Sequence, residues 1–118
     1  MVNTERITYM NGDFIPESEA KVHFRDRSFK YGDGVFDMTR TFGHKIFKIE
    51  EHVERLYKSL NYLDIDIKLS QKEMIDISLN VLEKNLHLIN KAEDYWVGQR
   101  ISRGVDKVGG EQWDLDGG

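Results

Sequence analysis

The feature that most constrains the fold is a change of hydrophobic period near the middle of the chain. Residues 35–42 alternate as a strand requires, because successive side chains of a strand point to opposite faces. One face would carry Phe36, Met38, Arg40 and Phe42, and the other Val35, Asp37, Thr39 and Thr41. Ile49, Val53, Leu56, Leu60 and Leu63 then follow at helical spacing. The sequence therefore predicts a strand that leads, through a short connection, into an amphipathic helix.

Arg40 is unusual on this predicted strand because it shares a face with large apolar side chains. Arginine is rarely buried without a partner, so the position favours either an internal carboxylate or an anionic ligand. The alternative is an edge strand, from which the guanidinium reaches water while its stem covers apolar surface. Both interpretations are consistent with the spacing.

Turn signals predict further paired strands on both sides of this segment. Asn11-Gly12, between residues 7–10 and 14–15, supplies the two positive-φ positions of a type I′ hairpin turn. Gly43-His44 connects residues 35–42 to 46–47, with glycine first as a type II′ turn prefers. Residues 20–24 and 95–103 are the other candidate strands, and Arg100 and Arg103 of the latter point to opposite faces.

Two helices are predicted between the hairpins and the late strand. The first spans about residues 50–62, with Glu50 and Glu51 at the positive end of its dipole. Ser70 and Glu73 form a capping box that begins the second, which ends near residues 85–88. Its predicted buried stripe is Met74, Ile77, Val81 and Leu82. This order predicts an α+β domain in which two main helices pack on one side of a largely antiparallel sheet.

The composition excludes several classes of function. The 118 residues are enough for one domain, and a net charge of -4 without a basic block argues against a nucleic-acid partner. The absence of cysteine excludes disulfides and thiol catalysis. No apolar run approaches the roughly 20 residues that span a bilayer, so we expect a cytoplasmic protein with no membrane contact.

Few motifs indicate chemistry on their own. Gly32 and Gly34 allow a sharp turn at Asp33, but the patterns of dinucleotide and Walker-type sites are missing, and the histidines lack metal-ligand spacing. His52 and Arg55 share a helix face that can hold an oxyanion. The alternative is a solvated face on which nearby charges pair weakly with them.

A more specific signal comes from the order of several segments. Asp26-Arg27 precedes an aromatic residue, residues 31–40 read YGDGVFDMTR, and residues 52–56 read HVERL after a short hairpin, with Ser59 following. From about Tyr9 to Gly104 the chain resembles the first domain of class IV aminotransferases. These pyridoxal-phosphate enzymes include branched-chain and D-amino-acid aminotransferases and aminodeoxychorismate lyase.

The resemblance implies roles for seven residues. The arginine of the HxxRL segment binds the cofactor phosphate in that family, which assigns Arg55 to pyridoxal 5′-phosphate, with His52 as supporting structure. It also implies that Tyr31, Phe36 and Arg40 shape the substrate pocket, and that Tyr95, Arg100 and Arg103 are candidates for contacting a substrate carboxylate. Branched-chain members carry a pocket arginine where this chain has Gly98, whereas the Ser102-Arg103-Gly104 ending is nearer to the D-amino-acid type.

The resemblance also sets an expectation about completeness. We expect residues 1–104 to be the N-terminal domain and residues 105–118 to be a Gly/acid-rich linker towards a second domain that carries the Schiff-base lysine. No residue here is then catalytic, and the isolated chain is expected to be inactive. The implied reaction moves an amino group between an amino acid or amine and a 2-oxo acid, in a homodimer of the full-length form. The alternatives are an elimination reaction, as in the lyase relatives, or a non-catalytic interaction module.

Overall fold

The computed structural model describes residues 4–106 and 115–116. The chain begins with an antiparallel hairpin of β1 (Ile7–Met10) and β2 (Asp13–Pro16). Asn11 and Gly12 connect the strands with φ values of 50° and 98°. Both turn residues therefore adopt the left-handed conformations that the Asn-Gly pair predicts.

The predicted strand at residues 20–24 is wrong. A 3₁₀ turn, Glu17–Glu19, follows β2, and the chain then runs irregularly with Val22 and Phe24 exposed. Among the described residues, this segment belongs to none of the sheets. The short helix α1 (Arg27–Tyr31) follows, and Asp26 caps it by accepting a hydrogen bond from the Ser28 amide at 2.8 Å. Side-chain capping of this kind satisfies amides that have no partner within the helix.

The main sheet has three antiparallel strands, with β3 (Gly34–Phe42) between β4 (Lys45–Ile46) and β5 (Trp96–Ser102). Phe36 lies opposite Arg100, and Asp37 lies opposite Gln99. Gly43 and His44 connect β3 to β4 with φ values of 58° and 67°. Two positive φ values match a type I′ turn, so the expected type II′ turn is wrong, although the hairpin is present.

The two faces of this sheet differ sharply in exposure. Asp37, Thr39, Thr41, Val97 and Gln99 are buried on one face. The opposite face carries Phe36 and Trp96, which are 65% and 72% exposed. The alternation of side chains along β3 and β5 is therefore the predicted one. The face of β3 that carries Phe36 and Phe42 is the open face.

Two long helices cover the buried face. Helix α2 (Ile49–Tyr62) packs on β3, and its buried residues form the core. These are Ile49, Val53, Leu56 and Leu60. Helix α3 (Gln71–Asn85) begins at the predicted capping box and is followed by a 3₁₀ turn, Leu86–Leu88. The sheet and helices confirm the α+β fold, with both main helices on one side.

Helix α3 buries a more polar stripe than its sequence predicts. Met74 and Leu82 are buried, but Ser78 and Asn85 accompany them, while Ile77 and Val81 are only half-buried. The Asn85 amide explains the difference. It donates to the Ile7 carbonyl and accepts from the Ile7 amide, each at 2.8 Å, and so holds the first hairpin against the helix.

The last described strands are β6 (Val105–Asp106) and β7 (Leu115–Asp116), which pair antiparallel. The linker predicted for residues 105–118 lies mostly outside the described residues and remains a prediction. Within residues 4–106 and 115–116, no helix has the length and apolar character needed to cross a bilayer.

Candidate functional site

Helix α2 and strand β3 bring a cation and an anion together at the edge of the core. Arg55 donates from Nε to Asp37 Oδ2 and from Nη2 to Asp37 Oδ1, both at 2.8 Å. The Asp37 side chain is only 4% exposed, whereas that of Arg55 is 66% exposed. Two parallel bonds of this kind fix the plane of a guanidinium. Asp37 therefore binds the Nε–Nη2 edge of the Arg55 guanidinium from the buried side. The opposite edge of the guanidinium faces outward.

His52 completes this cluster from the same helix. Its Nδ1 lies 2.7 Å from Asp37 Oδ1. An ionised carboxylate can only accept hydrogen bonds, so the Nδ1 position must carry the proton. The three side chains, Asp37, His52 and Arg55, are called the Asp37 cluster below. In this cluster one buried carboxylate binds two donors that are one helical turn apart.

The electrostatics of the cluster follow from these contacts. Hydrogen bonds from Arg55 lower the pKa of Asp37 from 3.8 to about 2, burial opposes this shift, and the His52 contact adds to it. The same carboxylate raises the pKa of Arg55. Asp37 is therefore ionised and Arg55 cationic at neutral pH.

An open groove adjoins Arg55 on the outer side of helix α2. Its lining residues are Val35, Arg55, Lys58, Ser59, Tyr62 and Leu63. Arg55 and Lys58 give this groove a positive charge, and Lys58 lies 3.5 Å from Glu54 at an exposed position. A guanidinium has five N–H donors, of which Asp37 takes two. Nη2 also lies 3.2 Å from His52 Nδ1. The two Nη1 hydrogens therefore remain for an anion, and the groove suits a small anionic group.

The open face of the sheet holds three of the predicted substrate residues. Phe36, Arg40 and Arg100 lie there, and the Arg100 guanidinium is 5.3 Å from the centre of the Phe36 ring. They are on the opposite face from Asp37, so the strand β3 separates them from the Asp37 cluster.

Arg40 follows neither of its two sequence interpretations fully. Strand β3 is central in the main sheet, yet the Arg40 side chain is 46% exposed because no helix of the described residues covers its face. The guanidinium stacks 4.2 Å from the Phe42 ring centre and lies 3.9 Å from the Asp94 carboxylate. A carboxylate partner is therefore present, but at the surface instead of in the interior. The edge-strand alternative is wrong, because β3 pairs with a strand on each side.

Tyr31 and Arg103 lie at the start of strand β3. Tyr31 is 61% exposed at the end of helix α1, with the Arg27 guanidinium 5.0 Å from its ring centre. Arg103 donates to Asp33 at 2.8 Å and to the Leu63 carbonyl at 2.7 Å. Burial raises the pKa of Asp33, but hydrogen bonds from Arg27 and Arg103 outweigh it and lower the pKa overall. Arg103 thus connects the Gly-Asp-Gly turn to the end of helix α2.

Tyr95, the remaining predicted substrate residue, precedes strand β5. Its hydroxyl donates to the Asn85 carbonyl at 2.9 Å, and its side chain is half-buried. It lines a second groove with Ile7, Val81 and Trp96, between the first hairpin, helix α3 and strand β5. The structure therefore distributes the seven predicted residues over separate surfaces and places Arg55 alone among them in the Asp37 cluster.

Sequence reasoning missed two carboxylates of this region. Asp37 and Asp33 each bind two cationic or imidazole side chains, but neither was predicted to do so. A signal for Asp37 was present, because an acidic side chain on the face opposite Phe36 would point at the helix that carries the HxxR segment. Finding it required knowing which face the helix covers.

The chain is similar to known proteins in both sequence and structure. The family model "Amino-transferase class IV" matches residues 34–96. A protein of Methanocaldococcus jannaschii assigned as a branched-chain-amino-acid aminotransferase is 40% identical over 101 residues, which is 86% of this chain and 33% of that protein. The D-alanine aminotransferase of Staphylococcus aureus (strain N315) is 36% identical over 77 residues, 65% of this chain and 27% of that protein.

Two crystal structures have a similar fold. The branched-chain aminotransferase of Thermoproteus uzoniensis with norvaline matches with a TM-score of 0.70 and 26% identity, covering 80% of this chain and 32% of that chain. The T.th. branched-chain amino acid aminotransferase with pyridoxamine 5′-phosphate matches with a TM-score of 0.64 and 30% identity, covering 69% and 28%. The chain spans a third or less of the length of these relatives.

Proposed function

The chain belongs to the class IV aminotransferase family, and from this premise we propose that it contributes the cofactor-phosphate site of a pyridoxal-phosphate-dependent aminotransferase. The enzyme would move an amino group between an amino acid or amine and a 2-oxo acid. The observation that supports this best is Arg55, which Asp37 fixes with two bonds at the side of an open, positively charged groove. When bound, pyridoxal 5′-phosphate supplies the carbonyl carbon that accepts and returns the amino group.

The donor set of the groove suits a phosphate monoester. A planar guanidinium can bind two phosphate oxygens at once, and Lys58 adds a second positive charge. Ser59 lines the same groove, and its hydroxyl donates to the Arg55 carbonyl at 3.3 Å. A similar structure, that of the T.th. enzyme, contains pyridoxamine 5′-phosphate, which is the aminated form of the same cofactor.

The family resemblance assigns the substrate residues, and Phe36, Arg40 and Arg100 lie on the face of the sheet opposite the Asp37 cluster. Arg40 and Arg100 are exposed beside aromatic rings on the open face, where a guanidinium can bind a substrate carboxylate while Phe36 contacts an apolar side chain. Arg103 is a weaker candidate, because Asp33 and the Leu63 carbonyl already occupy its donors. The resemblance also assigns Tyr31 and Tyr95 to the pocket, but Tyr95 lines the separate groove beside helix α3. We further propose that the enzyme works as a homodimer, as the family resemblance implies, and that it is located in the cytoplasm.

The test compares phosphate and non-phosphate forms of the cofactor. Pyridoxamine 5′-phosphate is the better probe because it lacks the aldehyde that would react with surface lysines. We expect Arg55→Gln to weaken its binding to the 118-residue chain by about 10-fold or more, since charge-assisted hydrogen bonds are worth roughly 1.5–3 kcal/mol. Pyridoxamine, which has no phosphate, should bind both proteins equally. Isothermal titration calorimetry or NMR titration measures both affinities.

A matched control separates contact from overall charge. Lys72→Gln removes one positive charge at an exposed position on helix α3. It should change the affinity for pyridoxamine 5′-phosphate by less than about twofold, as expected for an exposed, screened charge that does not line the groove. Equal affinities of the Arg55→Gln variant and the unmodified chain would refute the phosphate role of Arg55.

A further inference from the structure

A buried carboxylate lies directly behind the proposed phosphate-binding arginine. Asp37 is 5% exposed and accepts three hydrogen bonds, two from Arg55 and one from His52. Removing an ionised carboxylate from water is costly unless its partners are well placed. Strand β3 therefore holds a charge whose contacts are both on helix α2, on the side of the helix that adjoins the groove.

We propose that Asp37 is a positioning residue for anion binding by Arg55, an inference that rests on the proposed function of that arginine. Asp37 binds the Nε edge of the guanidinium and one hydrogen of Nη2. Among the described residues Nη1 has no hydrogen-bond partner, so this end of the fork remains for the anion. The guanidinium plane is fixed before the anion arrives, which lowers the entropy cost of binding.

His52 supports the same arrangement from one helical turn away. Its Nδ1–H donates to the oxygen of Asp37 that also accepts from Arg55 Nη2. The carboxylate is therefore bound on two sides and cannot rotate freely about its side-chain torsion. His52 acts through Asp37 and is not expected to contact the anion itself.

Positioning and simple electrostatics predict opposite results when the Asp37 charge is removed. A carboxylate near the site repels an incoming anion, so its neutralisation should tighten anion binding if charge alone mattered. If Asp37 instead orders Arg55, its loss releases a flexible side chain. Ordering a long side chain costs up to about 30-fold in affinity. The direction of the change therefore separates the two explanations.

The experiment uses four proteins, the unmodified 118-residue chain, Asp37→Asn, Arg55→Gln and the double variant, with pyridoxamine 5′-phosphate as ligand. We expect Asp37→Asn to weaken binding about 10-fold and the double variant to bind no more weakly than Arg55→Gln alone. Such non-additivity is expected when one residue acts through the other. Equal or tighter binding by Asp37→Asn, or fully additive losses, would overturn the inference.

The Arg55→Gln variant distinguishes the two proposals. If it weakens binding and Asp37→Asn does not, only the positioning role fails. If it leaves binding unchanged, the phosphate role of Arg55 and the positioning role fail together.

A second measurement requires no substitution and stays informative if Asp37→Asn does not fold. The Arg55 Nε–H group gives its own signal in ¹⁵N–¹H NMR spectra, and its relaxation reports nanosecond mobility. We expect an ordered side chain in the unliganded protein, close to the order parameter of about 0.85 found for rigid backbone. A value below about 0.6 would show a mobile guanidinium and would overturn the inference.

Discussion

The substitution Asp37→Asn should destabilise the fold by an amount that depends on pH. Asparagine keeps the volume of the side chain but cannot ionise. Contacts with Arg55 lower the pKa of Asp37 from 3.8 to about 2, which corresponds to about 2 kcal/mol of stability at neutral pH. For a chain of this size such a loss lowers the melting temperature by roughly 8 °C.

The sign of the pH dependence follows from the direction of the pKa shift. Folding lowers the pKa of this carboxyl, so its contribution is complete well above pH 3.8 and is lost as the pH falls through about 2. At pH 3 roughly half of it should remain, and the difference between the two proteins should shrink to about 1 kcal/mol. Titrating groups that do not contact Asp37 contribute equally to both proteins and cancel in the comparison.

Urea unfolding at pH 7, 4 and 3 measures this difference directly. Asp76→Asn serves as the matched control, because Asp76 is an exposed aspartate on helix α3. Its substitution should change the free energy of unfolding by less than about 0.5 kcal/mol at each pH. If Asp37→Asn lowered the free energy of unfolding by the same amount at pH 7 and pH 3, packing rather than charge would explain the loss. That result would refute the reasoning.

Two further predictions concern the start of strand β3. Arg103→Gln should destabilise the protein by about 1–3 kcal/mol in urea unfolding, because Asp33 loses a charged donor. Its control, Arg100→Gln on the open face, should cost less than about 0.5 kcal/mol. Equal losses of stability in the two variants would contradict the structural role of Arg103. Gly34→Ala should cost more than about 2 kcal/mol, because the added methyl would press against the Ile101 backbone carbonyl. A melting temperature unchanged by Gly34→Ala would show that strands β3 and β5 are farther apart than in this structure.

Local signals in the sequence predicted much of the fold. Asn11-Gly12 fixes its turn through two positive φ angles, and Ser70 with Glu73 fixes the start of helix α3 through two reciprocal hydrogen bonds. Both features are complete within four residues, so no distant partner is needed to recognise them. The period of Ile49 to Leu60 likewise predicted helix α2 to within one residue at its start.

Predictions failed where the outcome depended on distant contacts. Residues 20–24 have the composition of a strand but no strand to pair with among the described residues. Asn85 replaces an apolar residue in the buried stripe of helix α3 because it binds Ile7, 78 positions away. These contacts are set by the packing of the whole domain, which a local pattern does not contain.

Prediction of the candidate site from the sequence also failed where a distant contact decides the outcome. The HxxR segment predicted Arg55, but its partner Asp37 lies 18 positions earlier and was assigned only to a strand face. Which face of β3 the helix covers decides whether Asp37 or Arg40 is buried. Aromatic residues favoured the face of Phe36 and Arg40, whereas the helices cover the face of Asp37.

A crystal structure of the 118-residue chain with pyridoxamine 5′-phosphate tests the central claim most directly. We predict phosphate oxygens within about 3 Å of the Arg55 Nη atoms, at hydrogen-bond distance. Asp37 should still accept from Arg55 Nε. A phosphate group bound to Arg40 or Arg100 on the open face, with no contact to Arg55, would contradict the account.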